Sequence, residues 1–99
     1  MLYAINGRDT RDSLAARAGA RGEHVGRIQS LVEDGRLVLA GPMPAIDAED
    51  PGPAGFTGSL IVAEFESLAE ARAWAEADPY LAAGAWESVD VRPFVQVLP

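Results

Sequence analysis

Two stretches of this chain, Leu37-Val38-Leu39-Ala40 and Leu60-Ile61-Val62-Ala63, are apolar at every position. A strand sends successive side chains to opposite faces, so a strand with no polar alternates has two faces to bury. This constrains the fold more than any other feature: the sheet holding these strands needs cover on both sides. Helices of the same chain can cover one side. A chain of 99 residues makes one domain and has no second core for the other.

The remaining segments supply the helices and the outer strands. Residues 2–6 read as a strand ended by Gly7. Asp9, Asp12 and Ser13 are candidate caps for a short helical piece over 12–18, and Gly19 and Gly22 interrupt before a main helix over 21–34. In that helix Val25, Ile28, Leu31 and Val32 repeat at helical spacing, and Gly35 is placed to end it. Strands over 36–41 and 58–65 are joined by a proline- and glycine-rich loop, 41–57, of a length that often carries function. Ser67-Leu68-Ala69-Glu70 is a capping box opening a second helix over 68–77, with Leu68, Ala71, Trp74 and Ala75 inward, and Asp78-Pro79 closes it. A short turn over 79–83 precedes an alternating strand over 86–92.

The order β-α-β-β-α-β predicts an α+β, ferredoxin-like domain over residues 1–99, a four-stranded antiparallel sheet with two helices on one face. A second copy is the economical cover for the other face, so we expect a homodimer with two sheets packed together.

Composition narrows the chemistry. There is no cysteine and no lysine, which removes disulfides, thiol nucleophiles, Schiff bases and the P-loop lysine together. A net charge of −7 argues against nucleic acid as a partner, and no apolar run approaches a membrane span. A cytoplasmic protein without metal or cofactor is the plain expectation. The charge is uneven, however. Residues 1–27 hold five arginines against Asp9, Asp12 and Glu23, which favours an anionic small molecule near that segment.

His24 is the one histidine, and the one side chain whose ordinary range crosses neutral pH. Helical phase puts it about 50° from the centre of the apolar stripe. Alternating chain direction gathers the 6–8 turn, the start of the long helix, residue 41 onward and Asp78 at one end of the sheet, and leaves Asp34 at the other. Asp78 has two compatible readings, an N-cap for the next turn or a functional carboxylate. A carboxylate on one imidazole nitrogen fixes the tautomer and frees the other nitrogen as a base. Arg8, Ser13, Arg17, Arg21, Gly41, Pro42, Met43 and Phe56 are the candidate substrate contacts around the pair. No nucleophile elbow accompanies Ser13, and the run from Gly52 to Gly58 precedes a strand, so it fits no phosphate-binding fingerprint. Trp74 and Trp86 read as packing residues.

Several short motifs in order carry a resemblance: Met1-Leu2-Tyr3, His24, Asp34-Gly35-Arg36-Leu37, Ala40-Gly41-Pro42-Met43-Pro44, Asp50-Pro51-Gly52, Ala54-Gly55-Phe56-Thr57-Gly58, Ala63-Glu64-Phe65-Glu66-Ser67, Asp78-Pro79-Tyr80 and Val91-Arg92-Pro93-Phe94. The chain resembles the YciI-like family along nearly its whole length. The resemblance implies a dimeric α/β barrel and an enzyme whose histidine and aspartate correspond to His24 and Asp78. Similar barrels include muconolactone isomerases and a dehydrochlorinase, which implies proton-transfer or elimination chemistry on small cyclic or aromatic acids. Two rival expectations remain: a non-catalytic small-ligand or accessory dimer, and a cofactor-free oxygenase.

Overall fold

A computed structural model describes all 99 residues. Strand β1 (Leu2–Asp9), helix α1 (Leu14–Glu33), strands β2 (Leu37–Pro44) and β3 (Phe56–Glu64), helices α2 (Leu68–Glu76) and α3 (Pro79–Ala82) and strand β4 (Trp86–Phe94) follow in that order. A single 3-10 turn at Gly52–Ala54 sits between β2 and β3. The strands form one antiparallel sheet in the order β2-β3-β1-β4. It is the expected ferredoxin-like arrangement, and the sheet is open, with β2 and β4 as its edges. Both edge strands carry proline, at 42 and 44 in β2 and at 93 in β4.

One face of the sheet is the core. Tyr3 and Ile5 of β1, Ile61 and Ala63 of β3 and Val91 of β4 pack with Leu31, Phe65, Ala71, Ala75, Tyr80 and Trp86. The other face has no helix. Leu39 and Met43 on β2 and Phe94 on β4 are each more than a third exposed there. No helix is long and apolar enough to cross a membrane.

Three local expectations need correction. First, α1 is one helix of 20 residues, uninterrupted at Gly19 and Gly22. A helical glycine costs about 1 kcal/mol relative to alanine, and here the buried contacts at Arg17, Ala20, His24 and Leu31 outweigh that cost. Second, the buried line of α1 runs through those residues with Ile28 half-buried, while Val25 and Val32 are 40% and 47% exposed. His24 therefore sits in the middle of the buried face. Counting only apolar residues rotates the stripe the wrong way, because two of the buried positions are polar and partnered.

Third, the strands are longer than their apolar runs. β1 continues through Asn6-Gly7-Arg8-Asp9, because Gly7 is a contact rather than a stop: a Cβ there would fall 2.2 Å from the Trp86 ring. β2 continues through Pro42 and Pro44, which an edge strand tolerates, so the long loop shrinks to residues 45–55.

Candidate active site

Asp78 is the N-cap of α3. Its backbone is extended (φ −64°, ψ 132°), Pro79 takes the first helical position, and its Oδ1 accepts the Tyr80 backbone N–H at 2.8 Å. Proline is pre-organised for that position, so the sequence Asp-Pro-Tyr fixes the turn locally. The same turn buries the carboxylate, which is 1% exposed. A buried carboxylate needs donors on every side.

His24 is the principal one. Its Nδ1 lies 2.8 Å from Asp78 Oδ1 and 2.9 Å from Oδ2. An ionised carboxylate only accepts, so Nδ1 carries the proton and Nε2 holds the lone pair of the neutral ring. Arg27, one turn further along α1, brings Nη1 to 3.6 Å from Asp78 Oδ2. Its Nη2 donates to the Trp74 carbonyl at 2.7 Å, and its guanidinium lies over the Trp74 ring at 4.3 Å. Burial lowers the Arg27 pKa from the ordinary arginine value, and Asp78 acts in the opposite sense.

Two rings lock the imidazole plane. Tyr80 stacks on His24 with centroids 3.7 Å apart and planes 6° from parallel, and Trp86 meets both edge-on at 5.4 and 5.6 Å. The side-chain polar atoms sealed from solvent without a partner are Arg27 Nη1 and Trp86 Nε1. His24 Nε2 bonds nothing in the protein and is not among them, so it opens on space.

That space is a cavity of about 240 Å³ between α1 and β2. Helix α1 lines it with Arg17, Arg21, His24, Val25 and Ile28, β2 with Ala40, Gly41 and Pro42, β3 with Ser59 and Ile61, and α3 with Tyr80. Arg17 is held by Asp9: Nε and Nη2 donate to the two carboxylate oxygens at 2.6 and 2.7 Å. Nη2 also donates to Ser59 Oγ at 2.9 Å and the Gly58 carbonyl at 3.1 Å, leaving Nη1 without a carboxylate or carbonyl partner in the protein. With Asp9 and Asp78 both engaged, the arginines give the cavity a bias toward anions. Burial raises the Tyr80 phenol above the ordinary tyrosine value, against the pull of Arg17 and Arg21.

The structure brings together His24, Asp78, Arg17, Arg21, Gly41 and Pro42 of the expected set. Arg8 is exposed on β1, away from the cavity. Ser13 is buried and donates to Asp9. Met43 lies on the helix-free face, and Phe56 packs under the Arg17 guanidinium at 4.8 Å. Sequence reasoning misses Tyr80, Ser59, Asp9 and Arg27 as members of the site. Two signals point toward them: Tyr80 stands two residues past the cap, and Arg17 and Arg27 share the face of α1 that carries His24.

The YCII-related domain matches residues 1–95. The protein YciI of Escherichia coli is 58% identical over 97 residues, covering 98% of this chain and 99% of that one. An uncharacterized protein of Haemophilus influenzae is 45% identical over the same span. Among solved structures, the 5-chloro-2-hydroxyhydroquinone dehydrochlorinase of Burkholderia phenoliruptrix, in complex with 2,5-dihydroxybenzoquinone, shares the fold. Its TM-score is 0.81 at 25% identity, covering 96% of this chain and 94% of the other.

Proposed function

The chain belongs to the YCII-related family, and we propose that it is a small homodimeric enzyme using His24 and Asp78 for acid–base chemistry on a compact, anionic or cyclic metabolite. One observation carries the reading: His24 is fixed through Nδ1 by a buried carboxylate and presents an unpartnered Nε2 to a cavity bearing two arginines. Nε2 takes a proton from the substrate, and Asp78 stabilises the imidazolium that forms. Arg27 and the Tyr80 N–H hold Asp78 in place, so it orients the ring. Arg17 and Arg21 meet the substrate anion.

One positioned acid–base group contributes about 10²–10⁴-fold. The site therefore suits an already acidic C–H or a good leaving group. The dehydrochlorinase of the same fold acts on a hydroxylated aromatic ring, and a ring of that size suits a cavity of about 240 Å³. Isomerase- or lyase-like proton transfer is the reaction class.

The test uses 2,5-dihydroxybenzoquinone as probe. We expect saturable binding to the wild type and binding weakened about tenfold or more in His24→Gln, as befits loss of a charge-assisted contact. Equal binding by both proteins removes His24 from the site. For the assembly, sedimentation should give a dimer for the wild type and a monomer for Leu39→Glu, which puts a charge on the helix-free face. A wild-type monomer overturns that part.

A further inference from the structure

We infer that Tyr80 is the second proton-bearing group of this cavity: its hydroxyl donates to the substrate oxygen on which charge builds while His24 Nε2 takes a proton from the same molecule. The inference rests on the acid–base reading above and supplies the group that reading lacks. A base alone can remove a proton, but the electron pair left behind flows to an oxygen that then needs a donor.

The placement is specific. Asp78 Oδ1 accepts both His24 Nδ1 and the Tyr80 backbone N–H, each at 2.8 Å, so one oxygen atom sets the position of two residues. Their rings lie parallel at 3.7 Å, and both residues line the cavity. Tyr80 is 3% exposed, and its hydroxyl is not sealed off from solvent. The side chain that bears on it, the Arg17 guanidinium, can only donate, so the Tyr80 O–H proton has no acceptor in the protein. A buried tyrosine normally satisfies its hydroxyl. Here the open side is the cavity. The Arg17 guanidinium stands 5.1 Å from the Tyr80 ring centroid, where it steadies a phenolate. Burial raises the phenol's pKa, which keeps it a donor at neutral pH.

The arrangement fits a planar compound with an acidic C–H beside a carbonyl. The C–H proton passes to His24 Nε2, and its electron pair becomes the C=C bond. The carbonyl oxygen takes the Tyr80 proton and becomes an enol O–H. Imidazolium and tyrosinate remain, and passing one proton from the first to the second restores the enzyme. No atom is gained or lost, and no oxidant is required.

4-Nitrophenol is the probe, because its phenolic oxygen and visible band report hydrogen bonding directly. The protein variants are Tyr80→Phe, which keeps the stacked ring and removes only the hydroxyl, and His24→Gln. We expect the wild type to bind with a displaced absorption band. Tyr80→Phe should bind about tenfold or more weakly and lose that displacement. A merely structural role for Tyr80 would not move the band. If His24→Gln weakens binding while Tyr80→Phe matches the wild type in affinity and band, the role of Tyr80 falls and the acid–base reading stands. If neither variant differs from the wild type, or the wild type does not bind, both fall.

Discussion

Asp9 and Asp78 are both buried carboxylates tied to α1, and they differ in what they hold. Asp9 accepts from Arg17 Nε, Arg17 Nη2 and Ser13, and so fixes where the Arg17 charge stands. An arginine–carboxylate pair has no exchangeable protonation state near neutrality, so such a pair is a brace. Asp78 accepts from an imidazole whose far nitrogen faces open space. The degree of burial is nearly the same for the two side chains. The lesson is that a buried carboxylate does acid–base work only through a partner that can exchange a proton; beside an arginine it fixes where a permanent charge stands.

The largest test of this contrast is Asp9→Ala, which strands the Arg17 charge. We expect a loss of about 3–5 kcal/mol, the cost of breaking one side of a buried pair. Chemical denaturation measures it, and adding Arg17→Met should recover part of the loss. Asp78→Asn is the matching change. It should cost less, about 1–3 kcal/mol, because the principal partner left behind is an imidazole and Arg27 keeps its bond to the Trp74 carbonyl. Nitrogen NMR should then show the His24 proton on Nε2 instead of Nδ1. If Asp78→Asn destabilises as much as Asp9→Ala and keeps the tautomer, the two carboxylates do the same job.

A smaller effect appears at high pH. The folded state holds the Tyr80 phenol above its unfolded value, so folded protein binds the proton more tightly. Stability is then fully present below about pH 10, the unfolded value, and falls as pH rises toward the folded one. Tyr80→Phe should flatten that alkaline decline in an unfolding series. The smallest effect tests α1 as the rigid spacer between the two carboxylates. At Gly19, Gly22 and Gly26 a Cβ would meet nothing within 4 Å, so each position is free to carry a methyl group. Alanine at each should stabilise by about 0.5–1 kcal/mol and leave ligand binding unchanged.

Much of this was legible in the residues. The helix start at Ser67 formed as expected, its Oγ capping α2 by accepting the Glu70 N–H at 3.1 Å. Element order placed His24 and Asp78 at one end and Asp34 at the other, and chain direction needs no side-chain detail. What escaped was set by distant partners. Gly7 looks like a strand end until Trp86 is laid on it, and Gly19 looks like a break until Arg17 and His24 are anchored on either side. Asp9 reads as a helix cap and Arg27 as one of five arginines in the first 27 residues, because their neighbours in space, Arg17 and Asp78, stand 8 and 51 residues away. Local propensity cannot see such contacts.

The prolines of the outer strands bear on aggregation. An apolar strand at an open edge usually templates further strands, the first step toward a fibril. Pro42 and Pro44 in β2 and Pro93 in β4 each lack the N–H that an incoming backbone would need. Neither rim of the sheet offers an unbroken row of donors. Any self-association of this chain is steered to its faces, where a pair closes on itself, and away from its rims, where growth has no natural end.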